Sequence, residues 1–121
     1  MRCYNQNILG VYYKIFIGMR KELETLGLSP ENQGETQFFK KQILICVEFT
    51  EDYSNSLKQD ILSKILCHEL AHAFLYESGR TDDANDESLV CWLEIMVEKI
   101  FNIYQNVFDN LIKGCYNINT L

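Results

Sequence analysis

The chain contains 121 residues, of which 47% are hydrophobic and 23% charged, the composition of one small globular domain spanning residues 1–121. Its 11 basic residues stand against 17 acidic residues, which gives a net charge of −6. Nucleic acids and anionic membranes are bound mainly through basic surfaces, so this balance argues against both as primary partners.

The five cysteines indicate a reducing compartment. They are Cys3, Cys46, Cys67, Cys91 and Cys115, an odd number with no C-x-x-C pair. Such spacing is typical of reduced thiols, and we expect these residues to be small buried apolar side chains. The first residues lack the apolar stretch of a secretory signal, and no apolar run reaches the roughly 20 residues of a membrane span. The sequence therefore predicts a cytoplasmic protein.

The first part of the chain is predicted to form strands. Apolar residues alternate between Val11 and Ile17, which favours a strand over residues 8–18, although a helical stripe also fits this segment. A helical turn over residues 20–26 follows. Residues 36–49 are rich in alternating β-branched and aromatic residues, which predicts one or two strands.

The second part of the chain has the periodicity of helices. One helix is predicted over residues 56–77 and a second from residue 83 to residue 108 or beyond. Strands followed by helices predict an α+β fold. The second helix carries an apolar stripe from Leu89 to Leu111, which we expect to be mostly core. Its far end, which includes Phe101, Val107 and Phe108, extends beyond what so small a domain can cover, so a dimer contact or a partner-binding patch is a second interpretation.

The only two histidines of the chain stand four residues apart, in the segment Cys-His-Glu-Leu-Ala-His at residues 67–72. On a helix, His68 and His72 lie one turn apart on the same face, so both imidazoles can bind one Zn²⁺. Zinc lowers the pKa of its bound water to about 7, and the carboxylate of Glu69 can accept the proton as the water attacks a carbonyl. This H-E-x-x-H pattern predicts a zinc hydrolase.

The alternative interpretation is a chance pattern on an amphipathic helix, with both histidines hydrogen-bonded in the core. His68 and His72 share a mainly apolar stripe with Ile61 and Ile65. Two unpaired imidazoles in such a stripe are costly, and a metal would satisfy one nitrogen on each. The metal interpretation is therefore preferred.

A catalytic zinc usually has three protein ligands, and no third histidine exists. The longer pattern H-E-x-x-H-x-x-G-x-x-H is excluded, because Leu75 and Ser78 occupy its later positions. A carboxylate is the natural substitute, and Glu87 is preferred because it lies about one turn into the last helix. The alternatives are a capping role for Glu87 and a third ligand drawn from Asp82, Asp83, Asp86, Glu94 and the thiolate of Cys91.

Residues 68–79 and 85–92, together with the segment 34–45, resemble the small phage-associated zinc metallopeptidases related to the ImmA/IrrE group. The resemblance covers residues 8–105. It implies a minimal zincin, in which a small, partly antiparallel sheet packs on an active-site helix and a second helix supplies the third ligand. It also implies zinc ligation by His68, His72 and Glu87, and catalysis by Glu69 as general base.

The resemblance further implies that a peptide substrate adds to the strand nearest the zinc, which is expected at residues 42–47. Relatives that regulate repressors often carry an additional sensing domain, for which this chain has no room. Tyr76, one turn beyond His72, is a candidate for stabilising an oxyanion, although such a tyrosine more often only packs. Asp82, Asp83 and Asp86 are candidates to accept the free N–H of a ligating histidine, or alternatively to form a solvated capping loop.

Two functions remain open on the sequence. The first is a zinc-dependent endopeptidase encoded by a phage or mobile element, acting on a peptide or a regulatory protein. The second is an inactive, zinc-stabilised binding module that docks such a regulator. A third interpretation makes the motif purely structural, but a structural site would not need Glu69.

Overall fold

The computed structural model describes residues 1–114, which combine a four-stranded sheet with two long helices and a short one. The strands are β1 (Arg2–Ile8), β2 (Val11–Gly18), β3 (Gly34–Gln37) and β4 (Gln42–Cys46), and the helices are α1 (Arg20–Glu24), α2 (Asn55–Glu77) and α3 (Glu87–Lys113). A 3₁₀ turn at Asp83–Asn85 connects α2 to α3. The predicted α+β class is confirmed at this level.

Strands β1 and β2 form a hairpin, of which the sequence analysis predicted only the second strand. Leu9 and Gly10 are the two central residues of the hairpin turn, with φ values of 52° and 92°. A positive φ at both central residues is the requirement of a type I′ turn. The side chain of Asn7 accepts a hydrogen bond from the Gly10 amide at 2.7 Å. β1 was not predicted because it lacks an alternating apolar pattern. Its residues are almost all polar and are exposed at the edge of the sheet.

The strand order in the sheet is β1-β2-β4-β3, with β2 and β4 parallel and the other two pairs antiparallel. Ile43 of β4 pairs with Ile15 of β2 on one side and with Thr36 of β3 on the other. β4 therefore has no free edge, and the expectation that residues 42–47 receive an extended peptide is wrong. The outer strand on this side of the sheet is β3.

Both faces of the sheet are covered. The face towards α2 holds the main core, formed by Ile8, Tyr13, Ile15, Ile43, Ile45 and Ala73. The other face packs against α1 and the loop after it, through Leu23, Leu28, Leu44 and Cys46. Alternate residues of β4 thus point into different clusters, which explains its uninterrupted run of apolar residues.

The C-terminal end of α2 is tied to the sheet by a polar network within the core. The fully buried ring of Tyr13 directs its hydroxyl to the carboxylate of Glu77, which also accepts a hydrogen bond from Lys41 at 2.7 Å. Burial and the Glu77 carboxylate raise the pKa of Tyr13 far above its usual value. Burial alone would raise the pKa of Glu77, but the hydrogen bonds from Lys41 and Tyr13 outweigh it and lower this pKa. The network fixes the position of the helix that carries the histidines.

The four cysteines in the described range are free thiols of unequal exposure. Cys46 is fully buried, as expected, and Cys67 is half-buried. Cys3 and Cys91 are exposed, so the expectation of burial is wrong for them. Cys3 lies on the outer strand β1, and Cys91 lies on α3 beside the exposed Trp92. Cys115 lies outside the described residues.

Helix α3 starts later and packs less than expected. The side chain of Asp86 accepts a hydrogen bond from the Leu89 amide at 3.1 Å and begins the helix there, rather than at residue 83. Val90 is its one buried residue, and every residue from 97 to 110 is exposed, so the expected core stripe is wrong for this half of the helix. No helix within residues 1–114 combines the length and apolar character needed to cross a membrane.

Candidate metal centre

Helix α2 presents His68 and His72 on one face, with their ring centroids 4.9 Å apart. The two Nε2 atoms lie 3.2 Å from each other. Ser54 caps the helix by accepting a hydrogen bond from the Leu57 amide at 3.2 Å, and no helix-breaking residue interrupts the segment. The helical spacing predicted from the sequence is therefore present.

Glu87 reaches the same point from the first turn of α3. Its Oε2 lies 3.0 Å from Nε2 of His68, and its Oε1 lies 3.0 Å from Nε2 of His72. The connection that brings it there turns at Gly79, whose φ of 90° ends α2, and continues through the 3₁₀ turn. Ligand atoms from His68, His72 and Glu87 all lie within 4.8 Å of one another.

The other nitrogen of each imidazole lies next to an oxygen atom. Nδ1 of His72 donates to the backbone carbonyl of Ala84, and Nδ1 of His68 lies 3.3 Å from Oε2 of Glu94. A proton on Nδ1 of His72 leaves a lone pair on its Nε2. The Nε2 atoms of both histidines face each other and the Glu87 carboxylate, so a cation between them would be held by all three side chains.

The donor set fits zinc. Two imidazoles and one carboxylate are common ligands of catalytic zinc, and ligands 2.0–2.1 Å from a tetrahedral ion lie about 3.3 Å apart, close to the separations found here. Within residues 1–114, no fourth histidine, cysteine or acidic residue joins the group. A tetrahedral ion held by these three residues would have one position left for water or substrate, which is the pattern of catalytic and not of structural zinc sites.

The remaining ligand candidates have other contacts. Asp86 caps α3, and Asp83 forms an ion pair with Arg80 at 2.6 Å. Glu94 and Cys91 face Nδ1 of His68, the latter at 4.0 Å, and not the Nε2 side where Glu87 lies. Glu94 therefore has the position of an outer partner that orients a ligand.

Of the two roles open for Asp82, Asp83 and Asp86, the structure supports the capping role at Asp86, and none of the three is hydrogen-bonded to a histidine. The acceptor for Nδ1 of His72 is the carbonyl of Ala84, because the 3₁₀ turn directs this carbonyl towards α2. Glu94 is the carboxylate beside Nδ1 of His68. A backbone carbonyl leaves no signature in the sequence, so Ala84 could not have been predicted.

Glu69 lies beside the two histidines and is only 6% exposed. The hydroxyl of Thr36 lies 2.9 Å from both Oε1 and the backbone carbonyl of Glu69. Burial raises the pKa of Glu69, although the Thr36 hydrogen bond and the two histidines act in the opposite direction. Sequence analysis missed Thr36, which comes from a strand 33 residues earlier in the chain.

The site opens into a cleft of about 470 Å³. Its walls come from β3, from the loops on either side of it, from α2 and from the start of α3. The lining residues are Asn32, Gly34, Glu35, Thr36, Phe38, His68, Glu69, His72, Asn85 and Glu87. All three ligand candidates and the candidate base therefore face one solvent-filled space beside the outer strand of the sheet.

Gly34 allows β3 to approach α2 closely at this cleft. A Cβ atom on Gly34 would lie 2.6 Å from Cγ2 of Ile65 and 3.1 Å from Oε2 of Glu69. We expect Gly34→Ala to lower the free energy of unfolding by about 1–3 kcal/mol, because the stiff Ile65 side chain cannot move aside without repacking. Thermal unfolding measures this cost. In the background Ile65→Ala the cost should shrink, and equal costs in both backgrounds would contradict the close contact.

Tyr76 is not among the residues that line the cleft. Its ring stacks on Phe38 with centroids 4.3 Å apart, and Nζ of Lys41 lies 4.8 Å from its centroid. Phe38 in turn packs edge-on against the ring of His72. The geometry gives Tyr76 a packing role behind the cleft wall and does not favour the oxyanion role.

Comparison with protein-family models, curated proteins and solved structures gave no match for this chain. The case for a metal centre therefore depends on the residues themselves. His68, His72 and Glu87 converge, the carbonyl of Ala84 holds Nδ1 of His72, and the Glu94 carboxylate lies beside Nδ1 of His68.

Proposed function

We propose that this chain is a zinc-dependent peptidase of the endopeptidase type. The observation that carries the proposal is the combination of an open three-ligand cluster with a buried glutamate next to it in the same cleft. His68, His72 and Glu87 would hold the ion. A bound zinc would supply a water of lowered pKa and polarise a substrate carbonyl.

Glu69 is the residue that moves protons in this proposal. Thr36 engages its Oε1, and no residue within the described range hydrogen-bonds its Oε2. Oε2 can therefore accept a proton from the attacking water and later deliver it to the leaving amine. The Thr36 hydrogen bond fixes the carboxylate plane and thus the position of the accepting oxygen.

Strand β3 is the proposed docking edge for the substrate. Gly34–Gln37 pairs with β4 on one side, and its other side has no strand partner within residues 1–114. An extended peptide can add to this edge through backbone hydrogen bonds, which recognise any sequence. Because the cleft runs along an open edge, a chain can continue in both directions, which favours cleavage at internal bonds.

Removal and return of the metal test this proposal. The purified chain is incubated with unfolded protein and with a mixed peptide library, before and after chelation and after addition of zinc. We expect cleavage of internal bonds that is lost on chelation and restored by one zinc ion per chain. Cys3→Ser is a matched control that should keep full activity, because Cys3 is exposed on the outer strand β1 and does not line the cleft.

Two results would contradict the peptidase proposal. Zinc bound at one ion per chain without cleavage of any peptide would instead support a zinc-stabilised binding module. Cleavage that resists chelation would assign the activity to different chemistry. The rate of cleavage plotted against the zinc content of this chain distinguishes these results from trace contamination, because a contaminant would not follow the zinc occupancy of this chain.

A further inference from the structure

The exposed half of α3 carries a continuous apolar face, here called the α3 stripe. It consists of Val97, Ile100, Phe101, Tyr104, Val107 and Phe108, which are between 43% and 64% exposed. Their spacing of three and four residues places all six on one side of the helix. Monomeric soluble proteins rarely expose a contiguous apolar patch of more than a few hundred Å², so a face of this size indicates a covering surface.

A complementary surface lies on the same molecule, at the α2–α3 groove. This cavity of about 700 Å³ is walled mainly by apolar side chains, among them Leu66, Leu70, Phe74, Leu93 and Val97. Val97 belongs to both the groove and the α3 stripe. The stripe of one copy cannot fold back into its own groove, because α3 is one uninterrupted helix and forms a wall of that groove.

We propose that the two surfaces cover each other in a symmetric dimer, in which the α3 stripe of each copy lies in the α2–α3 groove of the other. A two-fold axis makes both contacts at once, because each copy offers one stripe and one groove. The contact is of the helix-in-groove type and gathers α2 and α3 of both copies into a four-helix arrangement.

The available area is sufficient for a stable dimer. Six large side chains, each about half exposed, offer roughly 500–600 Å² of apolar surface on each copy. With the facing groove surface and both symmetric contacts, the total buried area reaches about 1,500 Å², within the range of standard stable interfaces.

The charges on α3 also favour a protein partner over a lipid surface. From residue 97 to residue 113 the charged residues are Glu98, Lys99, Asp109 and Lys113, which sum to zero. Two such helices do not repel each other. A helix that binds anionic membranes carries an excess of lysine or arginine opposite its apolar face, and this one does not.

The dimer is tested by sedimentation velocity and light scattering over a range of protein concentrations. We expect a mass twice the 14.2 kDa of the chain. Phe101→Glu in the stripe and Phe74→Glu in the groove should each weaken the dimer Kd by at least about 100-fold, because each would bury an unpaired carboxylate. Both side chains are about half exposed in the single chain, so these variants should keep the fold, which circular dichroism checks.

Phe39→Glu is the matched control and should remain dimeric, because Phe39 is 94% exposed on the turn between β3 and β4. Three results would overturn the proposal: a wild-type chain that stays monomeric at the highest concentration reached, a Phe74→Glu variant that dimerises as the wild type does, and a monomer that sediments with anionic phospholipid vesicles. Neither the α3 stripe nor the α2–α3 groove contains a proposed metal ligand. Glu69→Gln should therefore leave the dimer Kd unchanged, which separates this inference from the proposed function.

Discussion

Replacing Glu69 by glutamine is expected to lower kcat/KM for peptide cleavage by about 10²–10⁴-fold while zinc stays bound. Glutamine has nearly the same shape and keeps an oxygen to accept the hydrogen bond from Thr36, so the cleft should retain its geometry. It cannot accept the proton of the attacking water. The loss therefore falls on the chemical step and not on metal binding.

The measurement pairs kcat/KM on one peptide with zinc content by elemental analysis. Asp60→Asn is the matched control, because it removes one carboxylate from α2 at an exposed position and should change neither quantity. Unchanged cleavage by the Glu69→Gln variant, with its zinc in place, would contradict the proposed role of Glu69. Loss of zinc from this variant would contradict the separation of base and ligands.

Replacing His72 by alanine is expected to remove zinc binding. The imidazole is 8% exposed and is held by the Ala84 carbonyl. The only other histidine of the chain, His68, is already a proposed ligand, so no second imidazole can replace that of His72. Its loss leaves His68 and Glu87, too few ligands for tight binding. We expect a fall in zinc affinity larger than the roughly 10–100-fold that removal of an outer partner causes.

Glu94 provides the graded comparison within the same site. Glu94→Ala removes the acceptor at Nδ1 of His68 and should weaken zinc binding by about 10–100-fold without abolishing it. Glu94→Gln keeps an acceptor oxygen and should recover part of the loss. Competition with a zinc-binding dye measures all three affinities, and thermal unfolding checks them, because a ligand stabilises only a chain that binds it.

The order of zinc affinities among His72→Ala, Glu94→Ala and Glu94→Gln distinguishes a ligand from an outer partner. If His72→Ala bound zinc as tightly as the wild type, the ion would lie elsewhere on the chain. If Glu94→Ala lost as much affinity as His72→Ala, Glu94 would be a ligand in its own right, and the assignment of the third position to Glu87 would be wrong.

The local parts of this fold could be predicted because their determinants are close in sequence. The period of apolar residues predicted α2 within one residue at each end, and the spacing of His68 and His72 on a helix follows from it. The polar residues 82–86 also predicted a turn before α3. Asp86 caps the helix, so α3 begins at Glu87 and not at residue 83.

The order of the strands could not be predicted, because it depends on contacts between distant segments. β4 lies inside the sheet because it pairs in parallel with β2, after a crossover through α1. The apolar run in residues 43–46 indicates burial on both faces, but it does not show which strands lie on either side of β4. The expected peptide-binding strand was therefore wrong by one position in the sheet, and β3 takes its place.

The contacts that support the candidate metal ligands and the candidate base could not be predicted from the sequence either. Thr36 reaches Glu69 from a strand far away in the chain, and Ala84 contributes only its backbone carbonyl. The preference for Glu87 over Glu94 agrees with the geometry, but both lie on α3, about two turns apart. Only the positions of the two imidazole nitrogens separate a ligand from an outer partner.

The central claim is that His68, His72 and Glu87 hold a zinc ion with one coordination position left open. A crystal structure of the zinc-loaded chain, with anomalous diffraction recorded on both sides of the zinc edge, tests it most directly. We predict one strong peak bonded to both Nε2 atoms and to the Glu87 carboxylate, with the remaining position free of protein atoms. A peak elsewhere, or a fourth protein ligand closing the site, would contradict the account.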